Sequence, residues 1–212
     1  MLKKSAENPS SISAIAADLY MSQRHDSGFS AISKVSGISV DELRSSWTTR
    51  PALLRSYYTE AFQRYAELET SVPDFKIYKL SEKLATLIFS LSDELDMIPG
   101  FAAETFQVLV QSDSSSDSFS QLIYDRIRWY VDSDPLVSNL AQPIINKTSS
   151  KLFQKVVMTL IYEHLRDQST DKAYSSALID KASTFIESLF YSGITDKAID
   201  LFKYLTINNR TR

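Results

Sequence analysis

Apolar residues recur at helical spacing along almost the whole chain, and sustained period-two alternation occurs nowhere. Ile12, Ile15, Ala16, Leu19 and Tyr20 share one helical face and predict a first helix that ends near Gln23-Arg24-His25-Asp26, ahead of Gly28. Phe29, Ile32 and Val35 repeat every third residue and predict a second helix over 28–36 with all three side chains facing inward. Gly37 follows, where a left-handed C-cap costs glycine least. Ser39-Val40-Asp41-Glu42 has the pattern of a capping box and opens a short third helix over 40–46, anchored by Leu43 and Trp47. Thr49 is the next N-cap, with Pro51 tolerated in the first turn of a fourth helix over 50–70.

From there the predicted helices lengthen. The fourth carries a broad apolar stripe, Leu53, Leu54, Tyr57, Tyr58, Ala61, Phe62, Tyr65 and Leu68, and Val72-Pro73-Asp74 breaks it. A fifth helix over 79–98 stops at Pro99-Gly100, a sixth covers 101–111, and a serine- and aspartate-rich loop precedes a seventh over 118–132. Pro135 and Pro143 bracket a shorter helical piece. The eighth helix, 148–167, places Phe153, Val157, Leu160, Ile161 and His164 on one side. The ninth, 171–192, does the same with Tyr174, Leu178, Phe185, Leu189 and Phe190. Gly193 ends it, and Thr195 caps a last helix through Leu205. The expected class is all-α, with about nine to ten helices and no internal repeat.

Composition narrows the chemistry. The 212 residues are 43% hydrophobic and 23% charged, as in an ordinary globular chain, and the net charge is −3. A protein of that balance does not coat nucleic acid, so any such binding rests on a local surface. Only four glycines occur, and neither a dinucleotide-binding nor a Walker-type phosphate loop can be written through them. Cysteine is absent, which removes disulfides, thiolate metal sites and thiol nucleophiles. No metal site and no cofactor are expected. His25 and His164 are the two histidines, and neither stands at triad spacing from a serine elbow, so the chain is not expected to be an enzyme. The first residues lack the apolar core of a secretory signal, and no apolar run approaches the roughly 18 residues that span a bilayer. A cytoplasmic location without membrane attachment is the expectation.

Residues 28–54 form the most specific stretch. Gly37, Ile38, Ser39, Leu43, Trp47, Thr49, Arg50, Leu53 and Leu54 follow the pattern G-[IV]-S-x-x-x-L-x-x-x-[FW]-x-[ST]-[KR]-x-x-L, with Ile12, Ala16, Leu19, Tyr20 and Ile32 at matching apolar positions upstream. The stretch resembles the N-terminal helix-turn-helix of the TetR family of bacterial transcriptional regulators. In the C-terminal body the likeness is only architectural.

That resemblance implies two units: a helix-turn-helix DNA-binding domain over 1–50 and a ligand-binding and dimerisation domain over 51–212. It implies a regulator, expected to be a repressor, that binds operator DNA as a homodimer and is released by a small apolar or aromatic effector. On that pattern the third helix enters the major groove. Val40, Asp41, Arg44 and Ser45 would face bases, and Ser30, Lys34, Ser39, Thr48, Thr49 and Arg50 would lie along the backbone. An effector pocket would be drawn from Tyr58, Phe62, Tyr65, Phe89, Phe106, Ile123, Ile127 and Trp129. The dimer interface would take Phe153, Val157, Leu160, His164, Leu178, Phe185 and Leu189. One local feature pulls the other way. Over residues 22–55 five basic residues (Arg24, Lys34, Arg44, Arg50, Arg55) stand against three acidic ones (Asp26, Asp41, Glu42), a balance of 5 − 3 = +2. Lys3 and Lys4 could extend it as an arm. Asp41 and Glu42 suit a helix N-terminus but oppose approach to phosphates. The alternative is therefore a TetR-fold protein that binds a lipid-like ligand or a protein partner without specific DNA binding.

Overall fold

A computed structural model of the chain describes residues 11–23, 28–111, 113, 118–137 and 147–192. Among these residues there are nine α-helices and no strand: α1 (Ile12–Ser22), α2 (Phe29–Ser36), α3 (Val40–Ser46), α4 (Arg50–Ser71), α5 (Leu80–Leu95), α6 (Phe101–Leu109), α7 (Phe119–Ser133), α8 (Lys147–Arg166) and α9 (Ala173–Ser192). The expected helix from Thr195 to Leu205, the Lys3–Lys4 arm and His25 lie outside the described residues. So does most of the piece between Pro135 and Pro143, of which 135–137 form a turn.

Serine and threonine start the helices where their side chains can serve backbone N–H groups that have no carbonyl partner. Ser11 accepts from Ala14 N–H at 3.2 Å, Ser39 from Glu42 at 3.2 Å, Thr49 from Ala52 at 3.3 Å and Ser118 from Gln121 at 3.3 Å. The end of α5 has a different cause. The carbonyl of Leu95 would bond to the N–H of residue 99, but Pro99 has none. Tyr57 Oη donates to that carbonyl at 3.1 Å and accepts from Ile98 N–H at 3.2 Å. The helix closes three residues before the position its apolar pattern suggested, tied to α4 by one buried hydroxyl.

The central element is α5, which packs against α4, α7, α8 and α9. Leu84, Leu87, Ile88, Leu91 and Leu95 are all buried, so it has an apolar surface broad enough for that many neighbours. At one end α1 packs against α2, α4 and α6, and joins the short helices to the body.

Four residues of the expected apolar faces are exposed: Val35, Leu68, Tyr174 and Phe185. Val35 is 60% exposed, while Ile32 is fully buried. A three-residue step falls about 60° short of a full helical turn, so Phe29 and Val35 lie about 120° apart on opposite sides of Ile32, and only the Phe29 side is packed against the core. On α9 the buried side is Ser175, Ile179, Ser183, Ile186, Leu189 and Phe190, which leaves Tyr174 67% exposed. That stripe includes two serines, which a search for apolar side chains passes over.

Candidate nucleic-acid interface

The turn between α2 and α3 is set by two residues. Gly37 has φ +75°, and its N–H bonds to the Ser33 carbonyl at 2.9 Å. Ser39 is extended and caps α3, so α3 leaves the turn in a direction fixed by backbone conformation. Leu43, 1% exposed, and half-buried Trp47 pin α3 to the core. Only Thr48 separates Trp47 from the Thr49 cap of α4, so the connection between the third helix and the long one is short.

Ser30 and Lys34 on α2, Ser39, Asp41, Arg44 and Ser45 around α3, and Thr48 and Thr49 after it are exposed, while Val40 and Arg50 are half-buried. Ser45 Oγ donates to the Glu42 carbonyl at 2.7 Å. Asp41 and Glu42 occupy the first turn of α3 and Arg44 the last, each at the end the helix dipole favours. The Arg50 guanidinium lies over the ring of Tyr20 on α1, 5.3 Å from its centroid. Arg55, included in the local charge balance, points to the body: its Nε donates to the Leu109 carbonyl at 3.0 Å and lies 3.9 Å from Asp113.

The residues expected to form an effector pocket divide. Tyr58, Phe62, Tyr65, Phe106, Ile123 and Ile127 are buried, Phe89 is half-buried, and Trp129 is 43% exposed. The buried rings meet edge to face: Tyr58 lies against Phe106 and Phe119 with centroids 5.8 Å away in each case. Tyr58 Oη and Thr105 Oγ1, 2.7 Å apart, join α4 to α6, and burial pushes the Tyr58 phenol well above its usual range. Phe89 packs edge-on against His164 instead, 5.4 Å between ring centres.

A polar group that hydrophobic pattern gave no reason to select sits at the far end of α4. Glu69 is 5% exposed. Its Oε2 accepts from Tyr65 Oη at 2.7 Å and Tyr130 Oη at 2.5 Å, and its Oε1 from Arg126 at 2.7 Å. The two hydroxyls also touch each other. The Arg126 guanidinium lies 5.5 Å from both the Phe62 and the Trp129 ring centres. Burial, with the Glu69 charge adding to it, raises both phenols far above their ordinary value, so they stay protonated as donors. The signal in the sequence was Tyr65 and Glu69 four apart on the buried face of α4, and Arg126 and Tyr130 likewise on α7.

Of the residues expected at a dimer interface, Phe153, Val157, Leu160, His164 and Leu189 are buried within the single chain. Leu178 is half-buried and Phe185 is 42% exposed. An open groove on the outer side of α9 is lined by Asp180, Lys181, Thr184 and Phe185. His164 Nδ1 lies 2.8 Å from Ser175 Oγ, which also reaches the Lys172 carbonyl at 3.1 Å.

No family model matches the chain, and a search of curated proteins finds no match. Among the described residues no cluster of three His, Cys, Asp or Glu side chains could hold a metal ion, and no helix is long and apolar enough to cross a membrane.

Proposed function

We propose that the chain is a TetR-like DNA-binding transcriptional regulator that acts as a homodimer and is released by a small apolar or aromatic effector. The observation that carries this reading is the α2–Gly37–α3 unit. It has a left-handed glycine turn, a serine-capped second helix seven residues long, and a direct connection to α4 through the Thr49 cap. Arg44 and Lys34 stand exposed on its two helices, as phosphate or base contacts require. The division of labour follows: 1–50 reads DNA, and 51–212 binds effector and pairs subunits, in the cytoplasm. The aromatic core around Tyr58 and Phe106 supplies the apolar environment for an effector. The outer face of α9, with Phe185 and Leu178, supplies surface for a second copy.

Mobility-shift titration at low salt, with promoter fragments that include the one upstream of the chain's own gene, tests the DNA step. Retardation that survives excess random competitor is expected, and equal loss to specific and random competitor counts against it. For the effector, thermal-shift screening of lipophilic compounds is expected to find stabilising ligands, and a screen with none contradicts that part.

One observation favours a second reading. Asp41 and Glu42 are exposed at the leading end of α3 and repel phosphates. A head of this kind suits a TetR-fold protein that has kept its ligand or partner binding and lost specific DNA contact. The competitor experiment separates the two.

A further inference from the structure

We propose that Tyr20 and Glu104 are positioning residues for Arg50, so that helix α6 of the body controls one cation of the candidate DNA-binding head. The inference rests on the DNA-binding reading above and goes beyond it by naming a side-chain link between the two units.

Three residues from three helices meet at the junction. Arg50 is the first residue of α4, and its guanidinium lies over the Tyr20 ring of α1 at 5.3 Å. Tyr20 Oη donates to Glu104 Oε1 of α6 at 3.5 Å. The same ring meets the fully buried Phe101 of α6 edge to face, with centroids 5.6 Å apart and planes at 84°. Tyr20 is therefore held by α6 at both its polar tip and its apolar body, and it holds Arg50 in turn. Because a cation is drawn to a ring face by the ring's quadrupole, moving the ring moves the favoured position of the guanidinium. The Tyr20 phenol is raised by burial first and by the Glu104 charge next, and lowered by Arg50, as expected if both charges act on it.

The position of α6 is in turn set by the core. Gly100 starts it with φ +79°, and a Cβ there would stand 3.3 Å from Met21 Cε of α1. Thr105 is bonded to Tyr58, one residue after Glu104 and deep in the aromatic core. An occupant of that core that displaces Tyr58 or Phe106 thus acts on the same helix that carries Glu104. The consequence for DNA is local, in that one phosphate contact at the start of α4 is kept or lost.

Tyr20→Phe is the clean probe. It removes the hydroxyl that reaches Glu104 while leaving charge and ring in place. DNA affinity and its salt dependence are measured for the full chain with Tyr20→Phe, Arg50→Ala and the double variant, and again with Tyr20→Phe in an Arg44→Ala background. Arg50→Ala is expected to reduce the magnitude of the salt slope by about one. Tyr20→Phe is expected to weaken binding about two- to fivefold, the size of one lost hydroxyl bond that steadies the ring under Arg50. That loss should vanish when Arg50 is alanine and persist when Arg44 is. Equal losses from Tyr20→Phe with and without Arg50 indicate a merely structural role and overturn the inference while leaving DNA binding intact. An unchanged affinity in Tyr20→Phe overturns it in the same way. A wild-type chain that binds no DNA at low salt overturns the DNA-binding reading and this inference with it.

Discussion

Glu69 shows what a single residue can decide in this molecule. It is a buried carboxylate with three donors, and removing it strands the other members of the group. Glu69→Ala should leave the Arg126 guanidinium and two phenols without their acceptor and cost about 3 kcal/mol, measured by urea unfolding. Tyr130→Phe, which removes one donor, should cost about 1 kcal/mol. His164 gives a pH dependence whose sign follows from its surroundings. Burial lowers its pKa below the ordinary 6.5, with Lys172 acting the same way and Asp93, Asp167 and Asp96 opposing. The unfolded chain then binds the proton more readily than the folded one. Stability is complete above about pH 6.5 and declines as pH falls below it toward the lower folded value. Thermal unfolding between pH 7.5 and 5 should show that decline in the wild type and a flatter profile in His164→Gln. A profile as steep in the variant would assign the slope to other groups.

At the scale of elements, starts were easier to read than faces. A helix start is decided by a few neighbouring atoms, and Ser39, Thr49 and Gly37 stand in the structure as local chemistry expects. Faces depend on what a helix meets. The buried side of α9 includes Ser175 and Ser183, and Ser175 is inside because it bonds to His164 and to the turn before α9. Neither is a property of the α9 sequence alone. For the same reason the aromatic stripe of α4 was legible while the carboxylate within it was not, since its three partners come partly from another helix. Gly37 offers a test at this scale. Open space surrounds its missing Cβ, so Gly37→Ala should cost about 1–2 kcal/mol from the left-handed backbone alone. Gly37→Asn should cost less, and equal melting temperatures for all three chains would contradict the strained turn.

For the molecule as a whole, the all-α class was legible from hydrophobic period, and the helix order agrees with it. A contact between copies is not legible in that way, because an apolar stripe does not say whether its partner is its own chain or another. Five of the seven residues expected in that role are covered by the chain itself, which leaves Phe185 and Leu178 on the outer side of α9 for the proposed contact. Phe185→Glu should convert a dimer to a folded monomer by light scattering with little change in helicity, and Leu189→Glu should instead unfold the chain. The proposed reading of DNA by α3 is tested by a fluorescence-anisotropy titration of a duplex selected from a random pool. The wild-type chain should prefer it over a scrambled duplex by about a thousandfold or more, and Arg44→Ala should lose at least about tenfold of that preference. Equal affinity for the two duplexes, or an Arg44→Ala chain indistinguishable from the wild type, would rule out specific DNA reading by α3.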